Sequence, residues 1–549
     1  SLRTSGDFAT DATRKLTPGR FTFEAVNAQG VPDPAHDPAL KRLRLMNSYF
    51  SSVTHAKTPI AGLDAGNYQF IGGNQGFGVN MLENSSPLFL QLPTGTFSYQ
   101  VFETRGPLLP LASTRISAGQ DNYSGIYAFT AFNLPMPSGY QAFDVPGPSQ
   151  ATTGGMLSGE ELSSALAEGV AIVGRTEQDA YVDAKTLHDS FRLDFHTGDG
   201  ATDPSRLSLI GGQPYVVAAR TSSLAEGDFT ALFTTSRDGS LPFGGAQASE
   251  GWSAADFIGQ GGGTYVIAHR PRGPQGLFTA HPVAPGVALG TGANAWWSST
   301  DPKSNGKRTG DFDAIELLRG EGCDPADPSA WFAEFKSVRT DWFNLLNLQT
   351  PASFTKALGL SSGVYSVDTP VGLARTYLNL GTAAPSQDDL SSVATALRSG
   401  AAVASTGPLL DVAVGTAGPG ATVSGTNPSV TLTVNVWSAS WVPVDEVRVV
   451  VNGTVASTAP FGATPASNGW TVDASDPRHW SRTFTVPMSS LTGGKDGWIV
   501  VEAGVPLATT GAYAAGTPWN KVMKGIYPVA VTNPIFVDVD GGGYTAPLP

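Results

Sequence analysis

Residues 158–176 read SGEELSSALAEGVAIVGRT and carry the signals of a helix that is followed directly by a strand. Ser158 is a suitable N-cap, and Leu162 and Leu166 fall on one face of the helix that follows. Gly169 ends this helix, because glycine adopts the left-handed backbone that a helix C-terminus favours. The apolar segment VAIVGRT comes next and reads as a strand. This order of elements predicts an α/β layer or barrel.

The same alternation of helices and strands extends over residues 136–408, for example in AADFIGQGGGTYVIAHRP and DDLSSVATALRSGAAVASTGP. Residues 20–135 and 409–549 instead alternate apolar and polar residues between Gly, Pro and Asn turns, which is typical of strands. Within the second of these, VRVVVNGTVAST has the Asn-Gly turn of a β-hairpin. We therefore predict a multi-domain fold, α/β plus all-β: a flexible lead-in (residues 1–19), an N-terminal β-sandwich-like module, an α/β domain and a C-terminal β-sandwich.

Composition excludes several classes of protein. A net charge of −13, with 33 dispersed Lys and Arg residues, argues against nucleic-acid binding. The sequence has no run of 18 apolar residues that would span a membrane. A single cysteine, Cys323, permits neither an intrachain disulfide nor a Cys-based zinc site. The polar N-terminus and the Thr/Ser/Gly-rich composition predict an exported bacterial protein, at the cell surface, outside the cell or in the periplasm, that has lost a signal peptide; a lipid anchor stays open.

Several short segments between residues 165 and 543 carry a resemblance to a known family. In chain order they are ALAEGVAIVGRT, GDFTALF, HRPRGPQGLF, FDAIELLRG, GLARTYL, ALRSGAAVASTGPLL and TNPIFVDVDGGG. In this order they resemble the CehA/McbA-type metallohydrolases, a branch of the polymerase and histidinol phosphatase (PHP) superfamily. The resemblance implies a PHP-like α/β barrel in the central domain. It also implies hydrolysis by a hydroxide that two or three metal ions hold.

The residues at the family's metal-ligand positions do not suit that chemistry. The segment GYQAFDVPGPS (residues 139–149) resembles the family's G-W-x-x-x-D-L-H-x-H-S, with Pro146 and Pro148 at the two histidine positions. Histidine is likewise replaced at Gln178, Asp228, Arg270 and Val364, and an arginine repels a metal ion. The positions of the former site are Asp144, Glu177, Gln178, Gln213, Asp228, His269, Arg270, Glu316 and Ser362. None of the seven histidines has H-x-H or H-E-x-x-H spacing, so we predict no family-type metal site and no cofactor.

Two interpretations of Arg270 stay open. Together with His269 and Arg272 it forms an anion pocket, or it fills the former metal space and pairs with Glu177, Asp228 or Glu316. The second is favoured, because a buried cation needs a carboxylate partner.

Three smaller features have both a functional and an ordinary interpretation. Asp538 and Asp540 form the first half of a calcium loop, although a β-turn is the simpler interpretation. The loop at residues 194–203 around His196 either binds a divalent cation or is a plain turn. Trp296 and its neighbour Trp297 either lie in an exposed loop that binds a sugar or a partner, or pack in the core.

The predicted function is that of a non-catalytic exported protein that uses a degenerate metallohydrolase-like scaffold for binding or surface assembly. Its partner is then a second copy of itself, a surface protein or a glycan. One alternative is a hydrolase with a rebuilt site made of Glu177, Asp228, His269, Arg270 and Glu316. A further alternative is a glycan-binding protein.

Overall fold

The structure is a computed structural model, and it describes most of the chain after residue 136. The described ranges are 137–148, 170–178, 214–224, 226–234, 252–260, 265–320, 327–361, 371–383, 385–425, 428–438, 442–474, 478–509 and 525–548, with Leu162, Ala165, residues 183–185, Leu187, His188 and Tyr513. Before residue 137 only the backbones of six strands are described.

These six strands form two antiparallel groups. Strands β1, β2, β5 and β6 make one sheet in the order β2-β1-β5-β6, and β3 pairs with β4. Their bounds are β1 Phe21–Val26, β2 Leu43–Leu45, β3 Phe70–Ile71, β4 Phe89–Leu90, β5 Gly95–Glu103 and β6 Thr114–Ala118. The strand character agrees with the sequence pattern, and the sandwich-like arrangement stays a prediction.

Nine strands of the central part belong to one large mixed sheet. They are β7 Tyr140–Asp144, β8 Ile172–Arg175, β9 Tyr215–Leu224, β10 Gly227–Leu232, β11 Tyr265–His269, β12 Ala314–Arg319, β13 Lys356–Leu360, β14 Arg375–Asn379 and β15 Ala402–Ser405. The runs β7-β8-β9 and β11-β12-β13 are parallel, and β10 joins them through antiparallel pairings. Strands β8, β11 and β13 are buried at every position, as parallel strands covered on both faces should be.

Helices are few in the described chain. They are α1 Ala254–Gln260, α2 Leu277–Ala280, α3 Pro328–Leu346, α4 Ser391–Ser399 and α5 Met488–Thr492, with 3-10 turns at Gly292–Ser298 and Pro465–Asn468. The longest, α3, begins with a proline in its first turn and buries Trp331, Phe335 and Trp342. Helix α4 ends at Gly400, which is left-handed with φ 76°. The predicted helix at residues 158–169 is described only at Leu162 and Ala165, both helical and buried.

The C-terminal part continues the same sheet and adds a second one. Its strands are β16 Leu409–Val414, β17 Thr422–Ser424, β18 Val430–Trp437, β19 Glu446–Val451, β20 Thr454–Pro460, β21 Thr471–Val472, β22 His479–Val486, β23 Gly497–Gly504, β24 Val529–Thr532 and β25 Ile535–Asp538. The large sheet runs on as β15-β24-β23-β19-β20, with β17 and β25 at its side, to 15 strands in all. The second sheet has the order β16-β18-β22-β21. Asn452 and Gly453, both with positive φ, make the predicted hairpin turn between β19 and β20.

The two sheets of the C-terminal part share a core. Leu410 and Val434 from the second sheet lie in one apolar cluster with Val449 and Val501 from the large sheet. The predicted boundary after residue 408 falls inside a continuous sheet, because β15 pairs with β24. The chain is thus strand-rich around one large mixed sheet, and its division into modules stays a prediction.

The large sheet curls until β13 lies beside β14, although no backbone ladder joins these two strands in the described chain. The Thr376 hydroxyl accepts a hydrogen bond from the N–H of Gly359 (3.0 Å) and donates one to the carbonyl oxygen of Gly359 (2.9 Å). The side chain of Asn533 does the same for Ala357, at 2.8 and 3.1 Å. Only glycine fits at 359, because a Cβ there would lie 2.5 Å from the carbonyl oxygen of Arg375. This seam brings the ends of β7 and β13 together.

Candidate functional site

Most of the described residues that the sequence resemblance predicts as site positions share one edge of the large sheet. Strands β7, β8, β11, β12 and β13 point the same way, so their carboxyl ends lie at a common edge, where ligands bind in open α/β sheets. Asp144 ends β7, and Glu177 follows β8 by two residues. Asp228 lies opposite His269, which ends β11. The pattern of strands in the sequence therefore places these residues at one edge, where they fall into two groups.

The first group is centred on Asp144, which is fully buried. Its Oδ1 accepts hydrogen bonds from the N–H groups of Val145 and Ser361, each at 2.7 Å. Its Oδ2 accepts from the N–H of Gly372 at 2.7 Å and from the Ser361 hydroxyl. Burial raises the pKa of Asp144 above its ordinary value, although these hydrogen bonds act in the opposite direction. Four donors occupy the lone pairs that a carboxylate offers.

Arg175 and Glu177 form a buried ion pair beside it. Nη2 of Arg175 donates to Oε1 of Glu177 at 2.5 Å, and their side chains are 0% and 4% exposed. Nη1 of Arg175 donates to the carbonyl oxygens of Gly147 (3.1 Å) and Thr176 (2.6 Å). The Thr176 hydroxyl donates to the carbonyl oxygen of Pro146 at 2.7 Å. Residues at the end of β8 thus fix the backbone of the segment that contains Pro146 and Pro148. We call Asp144, Arg175, Thr176, Glu177, Ser361 and Gly372 the Asp144 centre.

The second group surrounds a cleft of about 240 Å³ at the start of β10 and the end of β11. The residues that line it are Asp228, Arg270, Gly273, Pro274, Gln275 and Gly276. We call these six residues the Asp228 cleft. Arg270 has a left-handed backbone with φ 45°, which is rare for a residue other than glycine. Its N–H donates to Oε2 of Glu316 at 2.9 Å, and the same oxygen lies 3.0 Å from Nδ1 of His269.

Arg272 does not belong to an anion pocket with its neighbours. Its guanidinium makes a two-point contact with the buried carboxylate of Asp341 on α3, at 2.6 and 2.8 Å. Burial raises the pKa of Asp341, while Arg272 acts to lower it. Arg272 therefore fastens the loop after β11 to α3.

Some predicted positions lie outside the described residues. Gln213, Ser362 and Val364 are among them, as are Cys323 and the loop at residues 194–203 around His196. Gln178 is described and forms a β-bridge with Thr221 on β9. Of the three carboxylates predicted to pair with the Arg270 side chain, Asp228 makes no ion pair with any described residue, and pairing with Glu177 or Glu316 stays a prediction.

The two neighbouring tryptophans are buried, so the exposed-loop interpretation is wrong. Trp296 and Trp297 are each 8% exposed and lie on the 3-10 turn Gly292–Ser298. Trp296 stacks on His281 with ring centroids 5.4 Å apart, and Trp297 meets Phe312 edge-on at the same distance. Their indoles fill the core rather than present a surface to a sugar.

An acidic cluster lies at the C-terminal loop, where the sequence indicated half of a calcium loop. Asp496, Asp538 and Asp540 bring carboxylate oxygens within 4.8 Å of one another. The N–H groups of Val539 and Thr545 donate to Asp496, at 2.8 and 2.7 Å. Asp538 accepts from Gly541 and Gly543, at 2.8 and 3.2 Å. These bonds fasten the turn after β25, as the β-turn interpretation requires, and calcium binding stays a prediction.

Sequence reasoning missed four members of the Asp144 centre: Arg175, Thr176, Ser361 and Gly372. Arg175 and Thr176 had a signal, since they directly precede Glu177 at the end of an otherwise apolar strand, and Ser361 directly precedes the predicted position Ser362. Gly372 had none, because it reaches Asp144 only through the curl of the sheet.

Comparisons with known proteins give one distant likeness. No family model and no curated protein matches the sequence. One solved structure that matches is a two-domain protein from Bacteroides vulgatus ATCC 8482 containing a predicted PHP-like metal-dependent phosphoesterase. It is 13% identical, with a TM-score of 0.29, over 67% of this chain and 92% of that one. Its description names the PHP class that the motifs resemble, but not the CehA/McbA branch. A TM-score this low carries no argument about this chain, and the branch stays a prediction.

Among the helices that the structure describes, none combines the length and the apolar character needed to cross a bilayer.

Proposed function

We propose that this chain is a non-catalytic protein that uses a PHP-like scaffold for binding or surface assembly, with its former metal site filled by protein groups. The observation that carries the proposal is the buried Arg175–Glu177 pair beside an Asp144 whose carboxylate accepts four hydrogen bonds. The family resemblance, by contrast, implies a metal site near the carboxyl ends of these strands.

Lone pairs are the first requirement for binding a metal ion, and the Asp144 centre offers few. A metal ion on Asp144 would have to displace N–H groups of Val145, Ser361 or Gly372, each of which would then be buried without a partner. The prolines at 146 and 148 have no side-chain donor atom. Pro146 also has its carbonyl oxygen bound by Thr176.

Charge is the second requirement, and it also opposes a metal ion. Arg175 is fully buried and always protonated, so a cation placed beside it would be repelled in surroundings that screen charge poorly. Glu177, which the resemblance places in the former site, is already paired with this arginine. The charges of this pair therefore cancel each other without a metal ion.

The test combines metal analysis with an activity screen. The protein is expressed with added zinc, manganese and iron, purified, and analysed for metal content by mass spectrometry. It is then assayed with p-nitrophenyl phosphate, bis(p-nitrophenyl) phosphate and p-nitrophenyl acetate. We expect less than one metal ion per chain and no turnover above that of Asp144→Asn. Stoichiometric metal together with turnover that this variant loses would overturn the proposal.

A second candidate, a hydrolase with a rebuilt site, is favoured by one observation. Nδ1 of His269, the residue before Arg270, lies 3.0 Å from Oε2 of Glu316, as an imidazole base beside an orienting carboxylate would. In that case Arg270 clamps an anion and Asp228 serves as a further acid or base. The same screen separates the two proposals, since turnover without metal that is lost in His269→Gln and kept in Asp388→Asn would favour the hydrolase.

The finer architecture and the location belong to the same proposal. We propose that the curled sheet is a PHP-like barrel closed at the Thr376 and Asn533 seam, and that the two packed C-terminal sheets are a β-sandwich. We also propose that the protein is exported, which its composition supports. Fractionation of cells with an antibody to the chain tests the location, and a cytoplasmic signal alone would contradict it.

A further inference from the structure

The Asp228 cleft combines groups of opposite charge in a small space. Asp228 and Arg270 both line it, and the other four lining residues carry no charge. Its volume of about 240 Å³ is below the usual ~300–1,000 Å³ of pockets for drug-sized ligands. A ligand of the cleft is therefore small and polar.

The carboxylate of Asp228 has no hydrogen bond or ion pair with any residue in the part of the chain that the structure describes. The residue is half-buried, and its backbone is fixed in register with Ser223 and His269. A half-buried carboxylate without a protein partner favours a cation that supplies one. An ammonium group with three N–H donors has that chemistry.

Arg270 is positioned by its backbone. A residue other than glycine in the left-handed region is strained, and it persists there only where its surroundings hold it in place. Here the N–H of Arg270 donates to Glu316, and its carbonyl oxygen accepts from Gly273 at 2.9 Å. A guanidinium has five N–H donors, so it binds a ligand carboxylate in addition to any protein group that it contacts.

Two glycines, Gly273 and Gly276, line the cleft with backbone alone. A Cβ at Gly276 would lie 2.4 Å from the carbonyl oxygen of Arg270, so only glycine allows the chain to pass this close to the Arg270 backbone. The wall of the cleft beside Arg270 is therefore backbone, whose N–H and C=O groups suit a small polar ligand.

We propose that the Asp228 cleft binds a small zwitterion of the α-amino-acid type, with its ammonium group on Asp228 and its carboxylate on Arg270. The inference names a ligand class for the proposed binding function. It rests on that function in one respect, namely that the protein binds the ligand without a chemical reaction. Glu316 holds the backbone N–H of Arg270, and in this proposal neither Glu316 nor His269 reacts with the ligand.

The experiment uses the full chain and a mixture of the twenty standard L-amino acids. Thermal unfolding is followed with and without the mixture, and each amino acid is then measured alone by calorimetry. Any hit is compared with its N-acetyl derivative, which lacks the ammonium group, and with its carboxamide, which lacks the carboxylate. We expect at least one amino acid to raise the Tm and both derivatives to bind more weakly.

Variants then assign the contacts. Asp228→Asn should weaken binding about 10- to 100-fold, as expected for a charge-assisted hydrogen bond of ~1.5–3 kcal/mol. Arg270→Lys should weaken it too, since lysine lacks the two-point geometry. Asp388→Asn, at an aspartate whose side chain is 77% exposed, is the matched control and should bind as the wild type does. Absence of binding by the wild type, or equal binding by Asp228→Asn, would overturn the inference.

The outcome is separable from that of the proposed function. Metal-dependent turnover would contradict the non-catalytic proposal without changing the measured affinities of the cleft for amino acids. Lack of amino-acid binding without metal or turnover would sink only the inference about the cleft.

Discussion

The Asp144 centre and the Asp228 cleft lie on the same edge of one sheet, yet they differ in almost every physical respect. In the centre, Asp144 and Arg175 are fully buried and each makes several hydrogen bonds to protein groups. In the cleft, Asp228 is half-buried and the described chain gives its carboxylate no partner. The contrast teaches that charges at equivalent strand ends serve stability when they are enclosed and remain available to a ligand when they are not.

The largest effect should come from breaking the ion pair of the centre. Arg175→Met leaves Glu177 as a buried charge and removes donors from the carbonyl oxygens of Gly147 and Thr176. Removing one partner of a buried pair costs about 3–5 kcal/mol, and we expect a loss of that size in the free energy of unfolding by urea. The double variant Arg175→Met with Glu177→Gln should recover part of this loss. A loss below about 1 kcal/mol would mean that the pair is not buried as described.

Asp144→Asn should have the next largest effect. The amide keeps one oxygen, but its NH₂ group faces donors where Oδ2 accepted from Gly372 and Ser361. With ~1–3 kcal/mol for each buried group left unpaired, we expect a loss of about 2–4 kcal/mol in urea unfolding. Asp388→Asn is the control, and an equal effect in both variants would show that Asp144 is not enclosed.

The destabilisation caused by Asp144→Asn should also depend on pH. Because burial raises the pKa of Asp144, the folded protein binds this proton more tightly than the unfolded chain does. The stabilisation that follows is complete below the unfolded pKa of about 3.9 and is lost as pH rises through the folded pKa. We therefore expect the difference in the free energy of unfolding between wild type and Asp144→Asn to become smaller from acid to neutral pH. Urea titrations at several pH values measure this difference. A difference that widens over this range would contradict the raised pKa.

The smallest effect should come from the cleft. Asp228→Asn removes a charge that makes no hydrogen bond to the described chain, so the free energy of unfolding should change by no more than about 0.5 kcal/mol. The same urea experiment measures this. If Asp228→Asn lowered the free energy of unfolding as much as Asp144→Asn does, Asp228 would be as enclosed as Asp144, and the cleft would not be open.

Local patterns predicted many elements correctly. The segment AADFIGQGGGTYVIAHRP contains helix α1 and strand β11, and DDLSSVATALRSGAAVASTGP contains helix α4 and strand β15. Asn452 and Gly453 gave the hairpin turn, because both residues accept positive φ. The burial of Trp296 and Trp297 was left open, since a polar loop pattern does not show that a 3-10 turn folds the two rings inward.

Residue type and spacing along the chain were enough to predict the described helices and strands named above, and to show that no histidine stands where the resembling motifs have one. What surrounds the charged residues depends on how distant segments pack together. Ser361 and Gly372 reach Asp144 from 217 and 228 residues away, after the sheet has curled until β13 lies beside β14. Burial and hydrogen-bond partners follow from that closure, since a local pattern does not encode which distant backbone N–H groups meet a given carboxylate.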